Sequence, residues 1–252
     1  MKNKPLVSII TPCYNAGNVI SETIESVLQQ SYQNWEMLIC DDCSTDNSVE
    51  IIKEYCEKDS RIKLFSTPQN TGAPAEPRNI AINNAKGDFI AFLDADDIWF
   101  SNKLEVQISF AIKKGYNLVY SNYEKISWEG ERNNRFIIVA ENTSYDKMLK
   151  TCDIPFLTAL LKKDILKNVR FMTMPKEDYA FWLEVLKPGI VAYNTNSVLA
   201  LYRESKNSRS GNKIKMISGQ WNILRKEEKI SFFKAFYYMI IFMIKGYLKY
   251  IK

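Results

Sequence analysis

The residues best suited to chemistry in this 252-residue chain are acidic and fall in three places: Asp41-Asp42, Asp94 to Asp97, and Glu177-Asp178. Histidine is absent, which removes Ser-His-Asp and Cys-His nucleophilic schemes and every histidine-ligated zinc site. Acid–base chemistry near neutral pH therefore falls to carboxylates, Lys, Tyr or Cys. Asp94 and Asp96, one residue apart at the end of an apolar run, suit oxygen-preferring Mn2+ or Mg2+ while leaving coordination positions for substrate phosphates. The same spacing fits a plainer role, in which Asp96 or Asp97 caps the following helix or solvates a turn. Glu177-Asp178 is equally two-sided. The pair can supply a base and an orienting neighbour, or it can stabilise a helix N-terminus by about 0.3–1 kcal/mol per acid.

Other motifs exclude more than they suggest. Cys40 and Cys43 have C-x-x-C spacing, but they flank an acidic pair and no second such pair follows. Five cysteines form an odd, sparse set, which fits reduced structural thiols better than a disulfide framework. Neither GxGxxG nor GxxxxGK[ST] occurs, which argues against an ordinary dinucleotide reader or P-loop enzyme. A sugar nucleotidyltransferase would want a glycine-rich basic loop after the first strand, where this chain has ThrProCysTyrAsnAlaGly.

These groups need elements to hold them. Leu6 to Thr11 reads as a buried strand, and Val19 to Gln30 as a helix with Val19, Ile20, Ile24, Val27 and Leu28 on one face. Met37 to Cys40 is a second strand ending in Asp41-Asp42. Asp46 is the expected N-cap of the next helix, followed by a strand at Ile62 to Phe65. A proline-rich loop and a short helix around Arg78 to Asn84 lead to the strand Phe89 to Leu93, which runs into AspAlaAspAsp. Strands separated by helices imply a mostly parallel sheet, which binds ligands beyond the carboxyl ends of its strands. Thr11 to Tyr14, Asp41-Asp42 and Asp94 to Asp97 all lie there. A helix over about Lys103 to Lys114 follows, then alternating segments at Leu118 to Trp128 and Phe136 to Ala140 that predict an antiparallel addition. A helix at about Asp178 to Leu186 and strands near Ile190 to Tyr193 and Val198 to Tyr202 complete the body.

Three segments in order, ValSerIleIleThrProCysTyrAsn, CysAspAspCysSerThrAsp and PheLeuAspAlaAspAsp, resemble inverting family-2 glycosyltransferases over about residues 5–205. The resemblance implies an α/β fold of the GT-A (Rossmann-like) type: a mostly parallel central sheet flanked by helices, with a small antiparallel addition. It implies that Pro12 and Tyr14 lie by the nucleotide base, that Asp42 contacts that base, and that Arg78 lies near the donor. Asp94 would face the ribose or metal shell, and Asp96 would be the main protein ligand of Mn2+ or Mg2+. On the residues alone, Tyr14 fits a core aromatic and Arg78 a surface helix position equally well. Cys43 stands where glycine is frequent, so that turn must do without glycine's free access to positive φ.

MetProLysGluAspTyrAlaPheTrpLeuGluVal resembles the family's acid pair and following aromatic helix, which makes Asp178 the expected catalytic base and Glu177 an acceptor-orienting group. Leaving-group charge would fall to the metal with help from Arg203 or Arg209, in a region where family members often carry histidine. UDP is the expected nucleotide because it is common in that family.

Residues 213–252 carry nine Lys or Arg against two Glu, whereas the rest is nearly balanced. That asymmetry disfavours a nucleic-acid surface on the body and points the tail toward a membrane. On a helix, Lys234, Lys245, Lys249 and Lys252 share a sector of about 60°. The apolar run Ala235 to Ile244 is far below the roughly 20 residues that span a bilayer. The tail reads as an amphipathic helix on an anionic leaflet, or as a helix packed on the core or on a second copy. The expected organisation is a catalytic domain at 1–212 and a membrane-associating tail at 213–252. The N-terminus lacks the apolar region and cleavage site of a signal peptide, so the expected place is the cytoplasm, on the inner face of the cell membrane. The expected activity is sugar transfer from a nucleotide-diphosphate sugar to a lipid-linked glycan in lipopolysaccharide or capsule synthesis. The second reading is a non-catalytic assembly module that keeps the fold.

Overall fold

A computed structural model describes residues 4–204 and 213–251. Its strands are β1 (Val7–Cys13), β2 (Trp35–Asp41), β3 (Ile62–Ser66), β4 (Phe89–Phe92), β5 (Ile98–Trp99), β6 (Leu118–Ile126), β7 (Arg132–Ile137), β8 (Asn142–Thr143), β9 (Leu160–Lys162) and β10 (Ala192–Arg203). The helices are α1 (Ile20–Leu28), α2 (Ser48–Lys58), α3 (Ala75–Asn84), α4 (Lys103–Lys114), α5 (Tyr145–Met148), α6 (Glu177–Leu186), α7 (Lys213–Asn222) and α8 (Phe232–Ile251).

One sheet runs in the order β3-β2-β1-β4-β9-β6-β10-β5, with β7 paired to β6 and β8 to β10. β1 and β2 are buried along their whole length, as continuous apolar strands of a parallel sheet covered on both faces should be. β1 pairs in parallel with β2 and with β4, and β2 with β3. β9 then inserts antiparallel between β4 and β6. The antiparallel addition that the sequence predicts is the β6–β7 pair, and β9, which the sequence did not mark, joins it to β4. Strand order reverses direction at β1, and a crevice opens at the carboxyl ends there.

Period-two alternation sends β1 side chains to two cores. Ile9 joins Met37, Ile39 and the apolar stripes of α1, α2 and α4. Ile10 joins Leu38, Phe92, α3 and the aromatic face of α6. At the opposite end of the sheet, buried Glu36 accepts from Ser8 Oγ at 2.7 Å, Lys63 Nζ at 2.7 Å and the Lys86 amide at 2.6 Å. Gly87 passes so close that a Cβ there would lie 2.6 Å from Ser8 N.

Two expectations change, at β10 and at the cap of α2. The segments near 190–193 and 198–202 form a single strand, β10, which absorbs its polar middle by register shifts and by a left-handed Asn196 at φ 59°. Asn47, not Asp46, is the cap residue of α2, although Asp46 Oδ1 still accepts from the Ser48 amide at 3.0 Å. Cys43 adopts φ 59°, the left-handed backbone that its turn requires, without glycine. The tail packs on the body, as one of the alternatives read from the sequence has it: Ile223, Leu224, Ala235, Tyr238 and Met239 enter the same core as Phe92 and Trp182. The face of α8 turned away from that core is also apolar, with Phe232, Phe233, Phe236, Tyr237, Ile240, Met243 and Ile244 all exposed. Its exposed lysines, Lys234 and Lys245, border that face instead of opposing it. Among the described residues no helix is long and apolar enough to cross a membrane.

Candidate active site

The crevice at the carboxyl ends of β1, β2 and β4 is a cleft of about 470 Å3 that opens to solvent, and Pro12, Tyr14, Asp42, Arg78, Asp94 and Asp96 all line it. Six residues drawn from four separated segments thus meet in one place. Pro12 is buried, whereas Tyr14 is 53% exposed and is no core aromatic.

The loops that form the cleft are bonded to one another. The Asn15 amide donates to Ser44 Oγ at 2.8 Å, and Asn15 Oδ1 accepts from the Thr45 amide at 2.8 Å. The Gly17 amide donates to Asp46 Oδ2 at 2.9 Å. Asp42 is held by Thr67 Oγ1 at 2.8 Å and by the Thr71 amide at 3.0 Å. A carboxylate fixed in this way is a preorganised acceptor at the cleft wall.

Arg78, on α3, is buried and not a surface helix residue. Its Nη2 donates to Asp94 Oδ1 at 2.7 Å, its Nη1 lies 3.4 Å from Glu177 Oε1, and its guanidinium stacks 4.2 Å from the Phe156 ring centroid. The fork therefore joins the end of β4 to the start of α6. Asp178 accepts from the Tyr179 amide at 2.8 Å, and its charge also reaches Arg78. Glu177 and Asp178 are half-buried at the first turn of α6, and neither is among the residues that line the cleft.

The turn Asp94 to Asp97 is gripped from beneath. Thr23 Oγ1 donates to the carbonyls of Ala95 and Asp97, both at 2.9 Å. Burial, and then the neighbouring Asp94 charge, push the Asp96 carboxyl up to about 6. Asp97 is pushed well above the ordinary range by burial and by Asp96 and Asp94. Crowded, partly desolvated carboxylates are a donor set that a divalent cation would relieve, and Asp94 and Asp96 fit Mn2+ or Mg2+ on that ground. Among the described residues no group of three such side chains surrounds one point, so a bound cation would complete its shell from substrate oxygens and water.

Arg203 is the expected site residue that the structure places differently. Its side chain is 1% exposed, and it spends its donors on Glu22 Oε2 at 2.7 Å, the Trp128 carbonyl at 2.6 Å and the Asp96 carbonyl at 2.8 Å. Its amide donates to Asp97 Oδ1 at 3.0 Å. Arg203 fixes the acidic turn and the β6–β7 hairpin through these bonds, each of its three guanidinium nitrogens being engaged within the protein. Arg209 lies outside the described residues.

Three contributors had no sequence signal of their own kind. Trp128 lines the cleft but carries no spacing that marks it. Glu22 reaches the site only through Arg203. Thr23 was visible only as a polar residue on the apolar face of α1. Cys13, also at the cleft wall, is pushed up to about 12 by burial and stays a protonated thiol. Cys40 and Cys43 are free, not bridged.

A family model described as Glycosyl transferase family 2 matches residues 8–170. Among curated proteins, the chain is 45% identical over 223 residues to WfgD of Escherichia coli, a UDP-Glc:alpha-D-GlcNAc-diphosphoundecaprenol beta-1,3-glucosyltransferase, covering 87% of this chain and 85% of that one. It is 40% identical over 233 residues to TuaG of Bacillus subtilis, a candidate teichuronic acid biosynthesis glycosyltransferase, covering 92% of each. Among solved structures, S. aureus TarS 1–349 in complex with UDP-GlcNAc superposes with a TM-score of 0.73 at 20% identity, over 87% of this chain and 64% of that one. The mannosyltransferase PcManGT from Pyrobaculum calidifontis, in complex with GDP-Man and Mn2+, superposes with a TM-score of 0.70 at 18% identity, over 91% of this chain and 66% of that one.

Proposed function

The chain belongs to glycosyl transferase family 2 and has the GT-A fold, and from that premise we propose that it moves a sugar, with inversion, from a UDP-sugar to a hydroxyl of a lipid-linked glycan. A glycosyltransferase of bacterial polysaccharide synthesis is the class its relatives share. The observation that carries the finer reading is the gathering of Pro12, Tyr14, Asp42, Arg78, Asp94 and Asp96 around one cleft. The E. coli relative's UDP-linked donor and diphosphoundecaprenol acceptor support the choice of donor and acceptor class.

In this reading Pro12 and Tyr14 flank the nucleobase and Asp42 accepts its N–H, its carboxylate already aimed by Thr67 and Thr71. Asp94 and Asp96 hold Mn2+ or Mg2+, which when bound supplies positive charge against the diphosphate. Asp178 takes the proton of the acceptor hydroxyl. The freed oxygen lone pair forms a bond to the anomeric carbon as the bond from that carbon to the diphosphate oxygen breaks, and attack from the opposite face inverts the centre. A positioned general base contributes typically 10²–10⁴-fold. Glu177 orients the acceptor, and Arg78 compensates the charges of Asp94 and Glu177 from within.

The outward apolar face of α8, bordered by Lys234 and Lys245, suits an anionic bilayer surface where a lipid-linked acceptor would be met. Residues 213–252 thus serve as the membrane-associating part of the chain and residues 1–212 as its catalytic part, peripheral on the inner face of the cell membrane.

The test is release of nucleotide from a panel of UDP- and GDP-sugars with Mn2+ or Mg2+. Metal-dependent turnover of one UDP-sugar in the presence of a lipid-linked glycan supports the reading. No turnover and no nucleotide binding across the panel would instead favour a non-catalytic assembly module.

A further inference from the structure

Lys176 directly precedes the acid pair and is the least expected residue in its neighbourhood. It is buried, with 7% exposure, and adopts left-handed backbone at φ 61°. A lysine is an improbable choice for either condition alone. Buried charge is costly unless well partnered, and left-handed backbone at a residue with a Cβ persists only where the surroundings over-determine it.

The surroundings that determine it are the C-terminal helices. The Lys176 ammonium donates to Gln220 Oε1 on α7. It lies 4.3 Å from the ring centroid of Phe242 on α8 and 4.8 Å from that of Tyr179 on α6. Burial among these groups pushes its pKa below the usual lysine range. At the residue just before Gln220, α7 approaches so closely that a Cβ on Gly219 would meet Pro175 Cβ at 3.0 Å. Residues 175 and 176 are therefore clasped by α7 and α8 through a close backbone approach, a hydrogen bond and a cation–ring contact.

We infer that Lys176 is a positioning residue: α7 and α8 grip it and thereby fix where Glu177 and Asp178 stand relative to Arg78 and the cleft. This rests on the assignment of the acid pair to sugar transfer proposed above. The consequence is that residues 213–242 serve the reaction as well as the membrane. The acid pair follows Lys176 without an intervening residue, and the first helical bond of α6 runs from the Ala180 amide to the Lys176 carbonyl at 3.1 Å. A shift of the clasp is thus carried directly to the base, where misplacement by about 1 Å can cost about 100-fold in rate.

The experiment uses the full chain with Lys176→Met, Gln220→Leu and the double variant. The expected result is a kcat lower by about 10- to 100-fold in each single variant, with the KM for UDP-sugar and the Kd for UDP within about twofold of the parent. The double variant should be no worse than the worse single, because both remove one shared contact. Hydrogen exchange gives an arm independent of turnover: amides from Ala180 through the first turns of α6 should exchange faster while β1, β2 and β4 keep their protection. Unchanged kcat overturns the inference, whatever the exchange result. Loss of nucleotide binding together with protection throughout the sheet also overturns it, since Lys176 would then support the fold at large. If the parent protein transfers no sugar, the functional proposal fails separately and exchange alone decides. Loosening confined to α6 supports the clasp, and uniform or absent change overturns it.

Discussion

The Arg78 guanidinium lies 3.4 Å from the Glu177 carboxylate although 99 positions separate them in the chain. Its other nitrogen reaches Asp94 at 2.7 Å, so one buried side chain ties the acidic end of β4 to the acid pair on α6. A planar fork can do this and an ammonium cannot, because it acts as a point charge without paired donors at fixed angles. Arg78→Lys should keep the fold but lower kcat/KM for UDP-sugar by about 10²-fold, or roughly 2.7 kcal/mol of transition-state stabilisation. Steady-state kinetics at saturating metal, beside a thermal melt, checks this; a variant with parental kcat/KM would show that the bridge is incidental.

At the far end of the sheet, Glu36 tests how buried charge supports the scaffold. Burial pushes its carboxyl up, but the Lys63 ammonium, the Lys86 amide and the Ser8 hydroxyl together outweigh burial and hold it below the usual value of 4.5. A lowered folded pKa means that the contribution is complete above the unfolded value and is lost as pH falls through the folded one. Glu36→Gln should therefore cost about 1–3 kcal/mol at pH 7, and the difference from the parent should shrink as pH drops below about 4.3. Urea denaturation at neutral pH and at successively lower acid values measures both, and a gap independent of pH would refute the charge argument.

The outer face of α8 predicts a separable defect. Phe236→Glu with Ile240→Glu places two charges on side chains that are 55% and 37% exposed. Stability should change little, within about 0.5 kcal/mol per site. Sedimentation with anionic vesicles should fall by about tenfold or more, because each buried apolar side chain is worth roughly 1.5–3 kcal/mol. Equal sedimentation of parent and variant would remove α8 from the membrane account.

The parallel half of this fold was legible because β1, β2 and β4 are continuous apolar runs, each ending in polar residues that no core would keep. Chemistry and architecture coincide at those ends, so Asp42 and Asp94 could be placed before any contact was known. β10 was not legible as one strand, since its polar middle from Asn194 to Asn196 mimics a turn, and only pairing to β6 with shifted register carries the strand through it. Arg203 was misplaced for a related reason: its partner Glu22 lies 181 positions away, and a buried fork of that kind has no local sign. Lys176 was invisible as well, because its meaning depends on two helices that the sequence presents as a separate tail.

The central claim is a division of labour, with Asp96 serving donor and metal binding and Asp178 serving proton transfer. The most direct measurement is calorimetric titration of UDP with and without Mn2+ into the parent, Asp96→Ala and Asp178→Asn proteins, beside their rates of sugar transfer. The account predicts that Asp96→Ala loses the Mn2+-dependent part of UDP affinity and transfer together, whereas Asp178→Asn keeps parental UDP affinity and loses transfer by about 10²–10⁴-fold. Parental transfer in Asp178→Asn, or Mn2+-dependent UDP binding that survives Asp96→Ala, would contradict it.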